Sequence, residues 1–393
     1  MRTPLLYALF ALALPASAQA DPLSDLGRAL FFDTSLSING TQSCASCHQP
    51  ANGFASDMAF PEGAIAGRHG RRKPPSLAYQ AISPPLHHVV EEDGILFVGG
   101  NMADGRATGA GSGDPAAEQA LMPMLNPDEM ALPRAACAAA RACASRGAAM
   151  EAVEPGVCAL PVDAAAACDP ATPEADDGVG TEAAVALLGR ALAAFEASPE
   201  VMPFSSRYDA YRNGQGGLTG DERAGLALFD GKAKCSACHV LTAGPDRRGP
   251  VLTDFTYDNL GVPPNAPAGE KASADRGLAA TLEADPLYAA GAAAVEGAVK
   301  VPTLRNVWTG QPRAYMHNGW FSSLEGVVRF YNTRDVWPRC DADRVTEAQA
   351  LAARCWPAPG VAATMNRDEL GNLKLTESEE AQIVAFLKTL TDR

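Results

Sequence analysis

The chain has 393 residues, 47% of them hydrophobic, and a formal net charge of −14 at pH 7. That length allows two domains with real cores. The acidic balance argues against nucleic acid and anionic membranes as partners, and no apolar run after residue 20 reaches the ~20 residues of a membrane span.

In chain order, residues 1–20 read as a secretory signal peptide. Arg2 gives a thin positive start, Leu5 to Leu14 an apolar core, and Ala18-Gln19-Ala20 a small-x-small cleavage site. A mature chain starting at Asp21, exported and periplasmic in a Gram-negative cell, is expected. Leu26-Gly27-Arg28-Ala29-Leu30-Phe31-Phe32-Asp33 then predicts a short amphipathic helix ahead of Cys44-Ala45-Ser46-Cys47-His48. The same pair of features returns later. Ala224-Gly225-Leu226-Ala227-Leu228-Phe229-Asp230-Gly231, opened by the capping box Thr219 to Glu222, precedes Cys235-Ser236-Ala237-Cys238-His239.

Each Cys-x-x-Cys-His reads as a covalent haem c attachment site. Two thiols form thioethers with the porphyrin, and the adjacent His48 or His239 is placed to bind iron. Zinc is the competing reading. It needs a further ligand near each cluster, and adjacent Cys and His residues make shared tetrahedral ligation awkward.

Residues 131–180 are Ala-rich, carry Pro and four cysteines, and turn acidic near Asp176-Asp177, which predicts a disulfide-tied insertion. A helix follows from Thr181 to about Ala197. The domain boundary is placed near Ser198-Pro199, giving cytochrome c-like units over 21–198 and 199–393. Residues 261–275 and 283–300, rich in Pro, Gly or Ala, are predicted surface loops. Thr376 to Glu379 is another capping box, with Leu375 as its staple; Ile383, Val384, Phe386, Leu387 and Leu390 form the apolar face of a last helix. The fold class expected is mainly α, with two cytochrome c-like haem domains, long loops and the insertion.

Ten cysteines less four thioethers leave six: Cys137, Cys143, Cys158, Cys168, Cys340 and Cys355. An even remainder in an exported chain predicts three disulfides. Cys340 with Cys355 is the natural pair; connectivity among the other four stays open.

Several ordered segments resemble the family of bacterial di-haem cytochrome c peroxidases and MauG. They are Leu30-Phe31-Phe32-Asp33, Asp104-Gly105-Arg106-Ala107, Asn126-Pro127-Asp128-Glu129-Met130, Val301-Pro302-Thr303-Leu304-Arg305-Asn306, Tyr315-Met316-His317-Asn318-Gly319 and Phe330-Tyr331-Asn332. The resemblance runs from about Leu26 to the C-terminus and is weak over 131–180 and 261–295. It implies hydrogen peroxide as oxidant at the first haem. The donor it implies is a redox protein, a c-type cytochrome or cupredoxin, or else a side chain of a protein substrate. The family's distal Gln, Pro and Glu match Gln119, Pro123 and Glu129. A carboxylate there can move the proton between the two peroxide oxygens, with Gln119 orienting the oxidant. Without the family spacing, Glu129 reads as a helix-start residue and Gln119 as solvated.

On the second iron the family's cytochrome-oxidising members place Met fourteen residues after the His of Tyr-x-His. Counted from His317 that position is Tyr331, the residue type MauG carries. A phenolate favours oxidised iron. Met316 and Met365 are rival ligands, and Tyr331 as a packing residue is the plain alternative.

Three departures stand out. The family Trp between the haems is Ala103 here, which leaves direct coupling or another aromatic such as Phe97. The Trp that MauG carries two residues before its second motif is Ala233, with Trp308 and Trp320 as other relays. The family's calcium is held partly by Asn in Arg-Asn-x-Pro. Arg72-Lys73-Pro74-Pro75 puts a cation there, which makes calcium doubtful, although carbonyls near Pro312 and Ala314 remain. His69 reads as a solvated loop residue with a distal ligand as the alternative. His87 and His88 read as surface or pocket residues, and His317 as lining the second haem pocket and hydrogen-bonding there. The reading of a different class is a non-enzymatic di-haem electron-transfer cytochrome; a third is a redox sensor or copper-handling accessory protein.

Overall fold

Local sequence signals decide where the helices begin. The structure, a computed structural model, describes residues 21–92, 94–160, 164–169, 171, 179–246, 248–341 and 344–393. The leader read at 1–20 and the acidic run at 176–177 lie outside those residues. In the first half α1 (Pro22–Phe31), α2 (Pro115–Leu125), α3 (Ala135–Val153) and α4 (Val179–Glu196) form the frame. Asp21 caps α1 by accepting from the Leu23 N–H at 3.1 Å, and Pro22 takes the first helical position. In the second half α5 (Gly220–Asp230), α6 (Leu324–Thr333) and α7 (Glu377–Leu387) do the same work. Both predicted capping boxes form, at Thr219 with Glu222 and at Thr376 with Glu379. Leu375 is buried beside the latter.

The two halves repeat one helix crossing. A Cβ on Gly27 would lie 1.8 Å from the Ala191 carbonyl oxygen and 2.9 Å from the Phe195 Cβ. On Gly225 it would lie 1.9 Å from the Gln382 oxygen and 2.9 Å from the Phe386 Cβ. So α1 crosses α4 as α5 crosses α7, at a distance only glycine allows. Apolar cores gather round each crossing, with Leu26, Leu30, Leu188 and Phe195 in one and Phe229, Val384, Phe386 and Leu390 in the other.

Little strand is present. β1 (His87–Glu91) pairs antiparallel with β2 (Gly94–Val98), His87 opposite Val98, and β3 (Tyr257–Asp258) pairs with β4 (Val299–Lys300). The second pair corrects the surface-loop prediction for 283–300. That stretch holds the end of a helix over Leu278–Ala284, a 3-10 helix over Ala289–Val295, and β4, which is buried. β4 stays inside because Lys300 Nζ donates to Ser83 Oγ (2.6 Å), Asn101 Oδ1 (2.8 Å) and the Gly100 carbonyl. Those bonds join the halves, as do Tyr257 to the Gly99 carbonyl (2.6 Å) and Tyr79 to Asp392 (2.8 Å).

The insertion is a brace. Its helix α3 is closed by Cys137–Cys168 and Cys143–Cys158, while Cys340–Cys355 forms as expected. Ser145 Oγ (2.7 Å) and Arg146 Nε (2.9 Å) both reach Asp33 Oδ2, and Arg141 donates to the Ile38 carbonyl at 3.1 Å. The insertion thereby grips the loop that leads to Cys44.

Gly225→Ala is expected to destabilise by about 1–3 kcal/mol, the usual cost of overpacking, measured as a lowered midpoint of thermal unfolding. An unchanged midpoint would mean that the α5–α7 crossing is looser than described.

Candidate active site

Each Cys-x-x-Cys-His folds as one tight turn. The His48 N–H donates to the Cys44 carbonyl and the His239 N–H to the Cys235 carbonyl, both at 2.9 Å. The imidazoles are held from behind. His48 Nδ1 faces the carbonyls of Pro75 (3.0 Å) and Phe54 (3.2 Å), and His239 Nδ1 faces the Leu252 carbonyl at 2.9 Å. Carbonyls only accept, so Nδ1 carries the proton and Nε2 keeps its lone pair. Burial pushes His48 down to about 4 and lowers His239 as well. Both rings are therefore neutral, the state in which imidazole binds a metal.

One continuous cavity is lined by both motifs. Its first end is formed by Cys44, Cys47, His48, Gln119, Pro123, Glu129, Leu192 and Glu196. Its second end is formed by Cys235, Cys238, His239, Tyr331, Met316, Leu304, Ile383 and Leu387. Glu129 acts by its charge on Cys47 and Glu196 on Cys44, while Cys235 and Cys238 act on Tyr331, so these residues lie beside one motif or the other.

At the first end α2 carries Gln119 and Pro123 on successive turns. Pro123 has no N–H to give the Gln119 carbonyl, which loosens the helix there. The chain then doubles back: the Met130 N–H donates to the Pro123 carbonyl (3.1 Å) and the Leu132 N–H to the Met124 carbonyl (2.8 Å). That return places Glu129. Asn126 Nδ2 donates to Glu129 Oε1 at 2.8 Å. Burial raises the Glu129 carboxyl, and the charge of Arg106 only partly opposes it. Gln119 is 5% exposed, and its Oε1 is buried with no partner among the described residues. A buried amide oxygen aimed into a cavity with nothing to bind fits a pocket shaped for another molecule.

Glu196 at the end of α4 was not singled out in the sequence. It is 3% exposed, its Oε2 has no partner, and burial pushes its carboxyl up to about 8. Its charge acts on Cys44. The signal lay in the repeat: Phe195 matches Phe386 at the helix crossing, so Glu196 stands where the second half has Leu387.

At the second end Tyr331 lies on α6, and its hydroxyl makes no hydrogen bond among the described residues. Burial pushes that hydroxyl up, with Cys235 and Asp258 adding to the effect. Of the rival ligands Met316 lines the cavity, whereas Met365 is spent against Gly261, where a Cβ would meet its Sδ at 2.1 Å. Ala103 and Ala233 both line the cavity, and Ala233 is buried rather than on the surface.

Other candidates fall elsewhere. Phe97 packs on Tyr288 and His88 outside the cavity lining. Trp320 belongs to an aromatic cluster with Phe321 and Trp356, and Trp308 lies under the Lys388 ammonium. His69 bridges to Glu62 and faces the Phe60 carbonyl, and His87 is exposed on β1. His317 lines the cavity, its buried Nδ1 has no hydrogen-bond partner among the described residues, and its Nε2 lies 3.7 Å from Asp275. Asp275 is taken up by Arg72, which holds its carboxyl down at about 2.

The donor set fits haem better than zinc. The four motif cysteines are outside every disulfide, and burial pushes their thiols up, to about 12 for Cys44, Cys235 and Cys238 and about 11 for Cys47. A pocket that disfavours thiolate suits a neutral thioether and opposes zinc. Among the described residues the one convergent group of ligand types is Cys238, Asp258 and Glu369, which includes no histidine. Calcium does not fit: Lys73 and Arg313 put two buried cations where the resemblance places it.

Comparison with known proteins agrees. Residues 22–217 match the family model for di-haem cytochrome c peroxidase. The methylamine utilization protein MauG of Paracoccus denitrificans is 35% identical over 411 aligned positions, covering 98% of this chain and 94% of MauG. The crystal structure of the diheme peroxidase BthA from Burkholderia thailandensis superposes with a TM-score of 0.72 at 31% identity, covering 95% of this chain and 89% of that one. A tyrosine-to-methionine variant of BthA gives 0.73 at 31%, covering 94% and 86%. With its two haem-binding turns, its peroxidase relatives and near-complete coverage, this chain belongs to the di-haem cytochrome c peroxidase and MauG family, as a peroxide-dependent oxidoreductase carrying two covalently bound haem c groups.

Proposed function

We propose that hydrogen peroxide reacts at the first end of the cavity, beside His48, and that the second end stores or relays the oxidising equivalents. The observation that carries this is the asymmetry of the ends. At the first end Gln119 Oε1 and Glu196 Oε2 are buried beside Glu129 with no partner among the described residues. At the second the carboxylates Asp258 and Glu369 are both bonded to Asn366, and the rest of the lining includes Ile383, Leu387 and Leu304. Haem supplies the iron that passes electrons to the oxidant.

The chain's own residues do the rest. Glu129 takes the proton from the inner peroxide oxygen and returns it to the outer oxygen, which leaves as water. Asn126 fixes Glu129 for that task, and Gln119 orients the oxidant. Pro123 shapes the wall between them. His48 and His239 would hold the irons through Nε2, and Tyr331 would supply the protein oxygen at the second, its phenolate favoured by the cation's charge against the upward push of burial and its proton released to solvent. Ala103 leaves the two sites to couple without an intervening indole.

The units 21–198 and 199–393 are proposed as the two haem domains. The electron donor is a small redox protein, a c-type cytochrome or cupredoxin, or a side chain of a protein substrate. MauG's own relay is unsupported, since Ala233 is buried and not aromatic. A periplasmic location is consistent with the leader and with three disulfides. No helix among the described residues is long and apolar enough to cross a membrane.

Glu129→Gln is expected to slow peroxide consumption by roughly 10²–10⁴-fold with the haem spectrum unchanged. Because burial raises the Glu129 carboxyl and the ionised form accepts the proton, the wild-type rate falls as pH drops through that raised pKa. The fall begins above the ordinary range of about 4.3, and the variant loses this limb. A variant as fast as wild type would remove Glu129 from the mechanism.

Tyr331 is tested by adding peroxide to the fully ferric protein. A persistent optical change that Tyr331→Phe abolishes is expected. Reaction of the reduced form alone, the same in both proteins, would contradict the assignment.

A further inference from the structure

We propose that Lys73 and Arg313 form a built-in cationic site that balances the carboxylate side chains of the bound haem groups, in place of a divalent metal. The inference rests on both motifs carrying haem. Two backbone bonds bring the pair together across the halves. The Lys73 N–H donates to the His317 carbonyl and the Ala314 N–H to the Asp57 carbonyl, both at 2.9 Å. Lys73 is 7% and Arg313 8% exposed, and both line the cavity shared by the motifs.

Their partners are too few for two buried charges. Lys73 Nζ donates to the Pro74 carbonyl at 3.0 Å, and Arg313 Nη1 to the Asn306 carbonyl at 2.6 Å. Arg313 Nε is buried with no partner among the described residues. Among the described residues no carboxylate is hydrogen-bonded to either side chain; Asp57 attracts Lys73 only through its charge, and Arg313 repels it. Other buried or half-buried cations are treated differently. Arg72 is clamped by Asp275 and Asp104, Arg305 is bidentate to Asp209, and Arg334 pairs with Asp335. Lys300 lacks an acid but has three oxygen acceptors. A buried charge is stable only when paired, so the missing counter-charge of Lys73 and Arg313 lies in the cavity they face. Haem brings carboxylates there. Burial and the Arg313 charge draw Lys73 down to about 7, and burial lowers Arg313 as well, so the haem carboxylates keep both charged. Two unit charges then supply what one divalent ion would, and their repulsion opposes calcium.

The test uses the purified di-haem protein. Elemental analysis is expected to find no stoichiometric calcium, and chelator or added calcium to leave both haem midpoint potentials unchanged. Lys73→Met and Arg313→Met are each expected to lower the reduced-to-oxidised ratio of at least one haem about tenfold at fixed potential, the scale of one unit charge at ~10 Å. Lys73→Arg is expected to keep the wild-type value, which a merely space-filling role would not. One tightly bound calcium per chain, or midpoints unmoved in both methionine variants, would overturn the proposal. If a methionine variant fails to load haem, the calcium content and the Lys73→Arg midpoint still decide. A wild-type haem count below two would instead defeat the reading on which the proposal stands.

Discussion

The bond from each histidine Nδ1 to a main-chain carbonyl is the constraint on which the rest of the structure depends. It fixes the tautomer, points Nε2 at the cavity and keeps the ring neutral. The acceptor segments must therefore be rigid. For His239 the carbonyl belongs to Leu252, in a loop fastened to the neighbouring segment by Thr303 Oγ1 on the Val251 carbonyl at 2.6 Å. Arg305, wholly buried, ties that segment to Asp209 and to the Pro250 carbonyl. For His48 the acceptors are Phe54 and Pro75, which the Leu77 N–H bond to the Phe54 carbonyl holds together.

The chain repeats a scaffold and varies its lining. Gly27 and Gly225 allow the same helix crossing, so Glu196 and Leu387 occupy equivalent places. One half uses its place for a carboxyl raised by burial, the other for an apolar wall. The same division separates Gln119 and Glu129 from Tyr331 and Met316. Chemistry that moves protons needs unspent polar groups close to the oxidant, whereas the acids at the second end, Asp258 and Glu369, are both bonded to Asn366. The Lys73 and Arg313 pair sits where the halves meet, so its charge reaches both ends.

Much of this was legible in the sequence because the signals are local. The Cys-x-x-Cys-His turns, the capping boxes at Thr219 and Thr376 and the Cys340–Cys355 pair each depend on a few neighbouring residues. The helix α3 was hidden because its Ala-rich stretch carries almost no amphipathic pattern, and its packing is set by disulfides instead. β4 was missed because Lys300 looks like a surface residue until Ser83 and Asn101, some two hundred positions away, are brought to it. Phe97 and Met365 were reasonable by type and failed by position. Glu196 emerged only from comparing the two crossings in space.

The central claim is that both turns hold a porphyrin covalently within one polypeptide. Intact-protein mass spectrometry under denaturing conditions tests it most directly. The account predicts a mass equal to the chain plus two haem groups, dropping by one haem when Cys44 and Cys47 are both replaced by Ser. A mass carrying one haem or none in the correctly matured wild-type protein would contradict it.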